Sequence, residues 1–338
     1  MDYLYNLQLI REGAPEFINI VLLGISEFIS VGGIFIACFV YWCLDKRSGA
    51  FILGSFSGGY MLNQVFKNTA CVYRPWVSDP RLTLAPEASS SATGYSFPSG
   101  HTLSATTVYG GTGIYAHRHK IFVAFMSLMI VLTAFARNWL GAHTLKDVAF
   151  AIIEGLAVLI INVFIMKWLA KKDEEAARSA GNYSKERASL STSFVNTRCG
   201  KERVILFAVF AALTIVALIY LDTKDYPVDY DDNGVMLADP YDMITDCFTG
   251  AGMFLGFLCG WILEKRFIGF SVEGTKKQKA LRFILGFISL AAIYLGILPL
   301  VLGSLDEHTE HIIKYFVVFF YASGIYPALI KLVQSKRK

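Results

Sequence analysis

Charge is what this sequence has least of. Only 17% of its 338 residues are Asp, Glu, Lys or Arg, against 54% hydrophobic. A soluble domain of this size carries about a quarter charged residues, so a water-soluble globular architecture is excluded. Closely paired cysteines are missing too. Cys38, Cys43, Cys71, Cys199, Cys247 and Cys259 show no CxxC spacing, which argues against a zinc site built on such pairs. Most fall in apolar runs, where a thiol behaves as a small hydrophobe. The opening stretch "MDYLYNLQLIREGAPEF" lacks the basic start and small-residue cleavage site of a signal peptide. The second half of the chain carries no recognisable catalytic motif.

What the sequence does have is long apolar runs, several near the ~20 residues that cross a bilayer. They predict an all-α polytopic membrane helical bundle of about nine transmembrane helices, near 28–44, 49–68, 98–116, 120–137, 144–169, 203–221, 244–264, 280–303 and 311–333. Residues 14–26, broken by Glu27 and Ser30, read as an interfacial helix leading into the first span. With this alternation, 23 of the 31 Lys and Arg residues fall on one side and 8 on the other. Basic loops stay cytoplasmic, so an outside N-terminus and a cytoplasmic C-terminus are expected, by default in a plasma membrane. Residues 1–170 form one membrane unit, 171–202 a polar cytoplasmic linker, and 203–338 a further four-helix region. Asn182 begins a glycosylation acceptor on the cytoplasmic side, where it stays unused.

Lys67, Arg74 and Arg137 lie on the outer side, where cations are disfavoured, and so need a reason other than topology. Three motifs hold them: "KNTACVYRP" leaving the second span, "PSGH" opening the third, and "RNWLGAHTLKD" between the fourth and fifth. Their helix ends face the same water. Arg suits bidentate phosphate contact and Lys adds a point charge. Ser99 and Gly100, at a helix start, offer free backbone N–H groups and the positive end of the dipole. His143 and Asp147, four residues apart, share a helix face, so the carboxylate can hold the imidazole in one tautomer. His101 supplies a second imidazole. Two histidines near a phosphate can divide the labour of attack and of protonating the leaving oxygen.

In this order, Lys-x6-Arg-Pro, Pro-Ser-Gly-His and Arg-x5-His-x3-Asp resemble the three-part signature of the type 2 phosphatidic acid phosphatase superfamily, over about residues 50 to 170. One departure is Ala136, where the family usually has Ser. The resemblance implies a metal-independent phosphatase with a helical core. His143 would be the nucleophile that forms a phosphohistidine, Asp147 its orienting carboxylate, and His101 the general acid and then the base. Lys67, Arg74, Ser99, Gly100 and Arg137 would bind the phosphoryl oxygens. No cofactor, metal or nucleic-acid partner is implied. The expected partners are the membrane lipid and a phosphorylated lipid substrate: isoprenyl pyrophosphate, phosphatidic acid, phosphatidylglycerol phosphate or sphingoid-base phosphate. A soluble sugar phosphate, as in glucose-6-phosphatase, and phosphotransfer to a lipid acceptor are the alternatives.

Glu154, seven residues after Asp147 and deep in a span, is a secondary site candidate, because an intramembrane carboxylate is functional by default. Residues 77–96 read as an irregular flap over the site. "DYDDNG" resembles the start of a calcium loop but has Pro240 at its twelfth position instead of Glu. His308 and His311 sit in a short acidic stretch with metal-like spacing. Cys71 and Cys247 fall on one side of the membrane, which leaves a disulfide between them open.

Overall fold

The computed structural model describes residues 1–179, 200–231 and 233–336. The expected linker lies largely outside them, as does the Asn182 acceptor. Two helices, α1 (Asp2–Glu12) and α2 (Glu16–Phe39), open the chain. Next come α3 (Lys46–Ala70), the single turn α4 (Pro75–Ser78), α5 (Gly100–Tyr115), α6 (Lys120–Trp139) and α7 (Leu145–Ser179). The second half holds α8 (Lys201–Thr223), α9 (Pro240–Leu263), α10 (Lys276–Ala292), α11 (Leu298–Leu302), α12 (Glu307–Phe320) and α13 (Tyr326–Ser335). No strand occurs among the described residues beyond one isolated bridge, Tyr230 to Met236.

All nine expected segments are helical, but the count of nine spans is not reached. Among the described residues six helices are long and apolar enough to cross a membrane, or seven if the bent α2 counts as one. The two that fall short are α3 and α5. α3 carries Asn63, Gln64, Lys67 and Asn68 in its C-terminal half. At 16 residues α5 is about 24 Å long, less than the ~30 Å hydrocarbon core. These two helices deliver the polar motifs, so the site itself lowers their apolarity and length. α2 also differs from expectation: the helix runs through Glu27 without a break and bends by 51° beyond Ser30.

α5 sits centrally, packed on α2, α3, α6 and α7. Its small residues permit this; the hydroxyls of Thr106, Thr107 and Thr112 fold back onto carbonyls of the preceding turn at 2.7–3.0 Å, so these three are not orphaned against neighbouring helices. In the second half, Gly252 and Gly256 let α9 lie directly on α12. A Cβ there would meet the carbonyl oxygens of Ile312 at 2.5 Å and Phe316 at 2.3 Å. Small-residue stripes of this kind drive helix association in lipid, where burial adds little.

The ends of the bundle differ. At one, Lys46 pairs with Glu264 at 2.8 Å, Arg203 grips Asp173 with both terminal nitrogens at 2.5–2.6 Å, and Arg282 donates to the Trp42 carbonyl at 2.8 Å. At the other lie the three motifs.

Candidate active site

Arg74 is set by the exit of α3. Cys71 closes that helix in the left-handed conformation (φ 48°), and Pro75 starts the next turn. The buried guanidinium donates to the Gly94 carbonyl (Nε, 2.9 Å), the Ala142 carbonyl (Nη1, 2.9 Å) and the Thr93 carbonyl. Nη1 also lies 3.2 Å from His143 Nε2. Burial and the nearby Arg137 guanidinium pull Arg74 down from its ordinary value to about 9.

His143 sits in the tight connection between α6 and α7. Gly141 makes this connection possible: its φ is +77°, and a Cβ would come 2.6 Å from the Thr83 carbonyl oxygen. The backbone N–H groups of Ala142 and His143 then return to the Arg137 carbonyl at 3.0 and 3.2 Å. The imidazole is only 2% exposed. Burial first, and then Arg74, hold it well below its ordinary 6.5, with Asp147 opposing.

His143 Nδ1 and Asp147 Oδ2 are 3.7 Å apart, beyond hydrogen-bonding distance. Ser96 fills the gap. Its hydroxyl donates to Asp147 Oδ2 at 2.6 Å and lies 3.4 Å from His143 Nδ1. The same carboxylate oxygen accepts the Thr144 N–H at 2.7 Å. The Ser99 N–H reaches the Asp147 carbonyl at 3.3 Å, tying the start of α5 to that of α7.

Ser99 is the N-cap of α5; its hydroxyl accepts from Thr102 N at 3.4 Å and Thr102 Oγ1 at 3.1 Å. The Gly100 and His101 amides, the first two of the helix, have no partner among the described residues. Lys67 is buried, within electrostatic reach of Arg74 and Arg137.

Arg137 is fully buried. It donates to the Ser91 carbonyl (2.9 Å), Ser91 Oγ (3.2 Å), Glu27 Oε1 (3.3 Å) and Ser26 Oγ (3.5 Å). Glu27 Oε1 also lies 3.0 Å from His101 Nε2. The eight expected residues of the three motifs therefore gather at one end of the bundle. Glu154 makes no hydrogen bond to them but lies within electrostatic reach of Lys67: it is buried in α7, and its Oε2 accepts from Asn63 Nδ2 at 2.9 Å.

Three further features take definite places in the fold. The stretch over the site is a packed loop: Leu82, Ala85, Ala88, Ala92 and Tyr95 are buried, and its carbonyls at 91, 93 and 94 hold the two arginines. Cys71 and Cys247 are free thiols; Asn68 bridges them, accepting from Cys71 through its carbonyl and donating to Cys247 Sγ. His308 is stacked between Tyr241 and Phe248, and His311 bonds Thr249 at 2.8 Å. Among the described residues no group of three or more His, Cys, Asp or Glu is placed to hold a metal ion.

Sequence reasoning missed Ser96 and Glu27. Ser96 lies five residues before His101, where nothing marks a serine in a loop as a bridge to Asp147. Glu27 did carry a signal, as an acid inside an apolar run, but it was read as a helix boundary.

Residues 48–173 match the family model of the PAP2 superfamily, and residues 248–338 match that of the PAP2 superfamily phosphatase transmembrane extension. The chain belongs to the PAP2 superfamily. It is an integral membrane protein and a phosphatase of that superfamily. A relative is phosphatidylglycerophosphatase B of Bacillus subtilis (strain 168), 26% identical over 162 residues that make up 46% of this chain and 73% of the relative. No solved structure matches. The first match spans all three motifs, and the second covers most of the region in which the sequence showed none.

Proposed function

We propose that this PAP2 phosphatase hydrolyses a phosphorylated lipid through a phosphohistidine, without a metal, at the outer face of a plasma membrane. The observation that carries the reading is the setting of His143: Nε2 faces Arg74, and Nδ1 faces the Ser96–Asp147 pair. In the first step the Nε2 lone pair forms a bond to phosphorus. The bond from phosphorus to the leaving oxygen breaks, and His101 gives that oxygen a proton. Water then loses a proton to His101 and attacks phosphorus, and the electron pair of the P–N bond returns to His143. Asp147, through Ser96, stabilises the charge on His143. Lys67, Arg74, Arg137 and the Ser99–Gly100 turn hold the three phosphoryl oxygens, where clustered cations offset the developing negative charge.

A lipid substrate is supported by the position of the site at helix ends, where a headgroup meets the interface. An apolar cavity of about 410 Å³ between α3, α7, α8 and α9 adds to this; it is lined by residues such as Gly58, Val158, Leu213 and Phe254. It begins one helical turn beyond Glu154 on the same face of α7. The name of the Bacillus subtilis relative points to a phosphorylated glycerolipid. The charge bias of the loops orients the site end outward. We assign residues 1–170 as the phosphatase core and 203–338 as the unit that completes its membrane surroundings.

The test is phosphate release by detergent-purified protein in excess EDTA. Its panel holds phosphatidic acid, phosphatidylglycerol phosphate, a polyprenyl pyrophosphate and glucose 6-phosphate. Release from a lipid phosphate that His143→Ala abolishes is expected. Release from the sugar phosphate alone, or undiminished release by His143→Ala, refutes the reading.

A further inference from the structure

His143 has a carboxylate behind it, and the second histidine has one as well. Glu27 comes from α2, ahead of the residues that match the family. Its Oε1 lies 3.0 Å from His101 Nε2 and 3.3 Å from Arg137 Nη1. Its neighbour Ser26 also reaches Arg137, at 3.5 Å. Two adjacent polar residues in an apolar helix thus turn toward one buried arginine, just before the point where α2 bends. Arg137 does not depend on them alone, because Ser91 meets it through both its carbonyl and its hydroxyl. For His101, by contrast, Glu27 is the one charged side chain within ion-pair distance among the described residues; the 3.0 Å approach falls short of hydrogen-bond geometry, so buried Nε2 is aimed at the carboxylate without another partner.

Resting on the phosphatase reading above, we propose that Glu27 is a positioning residue for His101. It holds Nε2 and so leaves Nδ1 as the nitrogen that serves the leaving oxygen. In the first step Nδ1–H passes its proton to that oxygen as the P–O bond breaks. Nε2 keeps its own proton, and Glu27 stays anionic throughout. In the second step Nδ1 accepts the proton of the attacking water, and the imidazolium regains its carboxylate partner. A carboxylate fixed beside an imidazole selects its tautomer and stabilises its charged form. The amino-terminal helix thereby completes the acid half of the site, as Asp147 completes the nucleophilic half.

The experiment varies the leaving group. Wild type, Glu27→Gln, Glu27→Asp and His101→Ala are compared on a lipid phosphate, whose alkoxide needs a proton, and on p-nitrophenyl phosphate, whose phenolate does not. General acid catalysis contributes about 10²- to 10⁴-fold. His101→Ala is therefore expected to lower lipid turnover at least 100-fold more than aryl turnover. Glu27→Gln is expected to show the same selectivity at about 10-fold, and Glu27→Asp a smaller selectivity.

Equal losses on both substrates in Glu27→Gln, beside a selective loss in His101→Ala, overturn the proposal and leave a structural role. A lower KM on both substrates with unaltered kcat also overturns it, because Glu27 then only stands where phosphate binds. If His101→Ala itself shows no selectivity, the acid role assigned to His101 fails, and that failure is read in the His101 variant rather than at Glu27.

Discussion

Removing the Ser96 hydroxyl tests whether Asp147 acts on His143 through it. Ser96→Ala deletes a 2.6 Å hydrogen bond to a carboxylate, with both residues buried. Asp147 Oδ2 keeps the Thr144 N–H at 2.7 Å, so the charge is not stranded. A hydrogen bond to a charged group contributes about 1.5–3 kcal/mol net. If that bond holds Asp147 and His143 in register during attack, kcat falls by about 10- to 150-fold, at 1.36 kcal/mol per decade. KM should change little, because Ser96 does not lie among the phosphate-holding cations. The assay is steady-state phosphate release from a short-chain phosphatidic acid in detergent, with Asp147→Ala alongside to mark the full loss. A kcat within twofold of wild type in Ser96→Ala, beside a large loss in Asp147→Ala, refutes the reasoning. It would mean that His143 and Asp147 close the 3.7 Å gap without the serine.

Burial and Arg74 hold His143 below 6.5, and in the proposed mechanism only the neutral imidazole attacks. The acid limb of kcat/KM should therefore lie below pH 6.5, and Arg74→Ala should move it upward; a limb above 6.5 in the wild type contradicts this. Gly141→Ala combines a left-handed residue, costing about 1–2 kcal/mol, with a 2.6 Å clash at the Thr83 carbonyl. It should lower both the melting temperature and turnover, and wild-type values for both would remove the turn from the account. Cys71 and Cys247 should both take up maleimide after denaturation without reductant, since they are free thiols; protection of the pair would reveal a disulfide.

Apolar runs and the spacing of three motifs were enough to read the helical class and the family, and to single out eight candidate residues that the fold gathers at one end of the bundle. Both signals are local. A span needs about 20 apolar residues in a row, and a motif needs side chains at fixed offsets at one helix end. What depended on distant segments was not legible. Ser96 joins Asp147 only because the loop over 77–96 packs down, and a loop's path is not encoded in its own periodicity. Glu27 meets His101 and Arg137 across 74 and 110 residues of chain, a contact set by α2 packing on α5 and α6. Even the span count depended on packing. α3 and α5 hold polar residues in the bundle because Asn63 donates to Glu154, Asn68 to Cys247, and the buried threonines to carbonyls of their own helix, and an apolarity rule applied to a single helix cannot see the partners on other helices. The sequence alone singled out the candidate groups for the chemistry. Only the tertiary structure decided which partners hold them, because hydrogen bonds act over a few ångströms while the residues that make them are far apart along the chain.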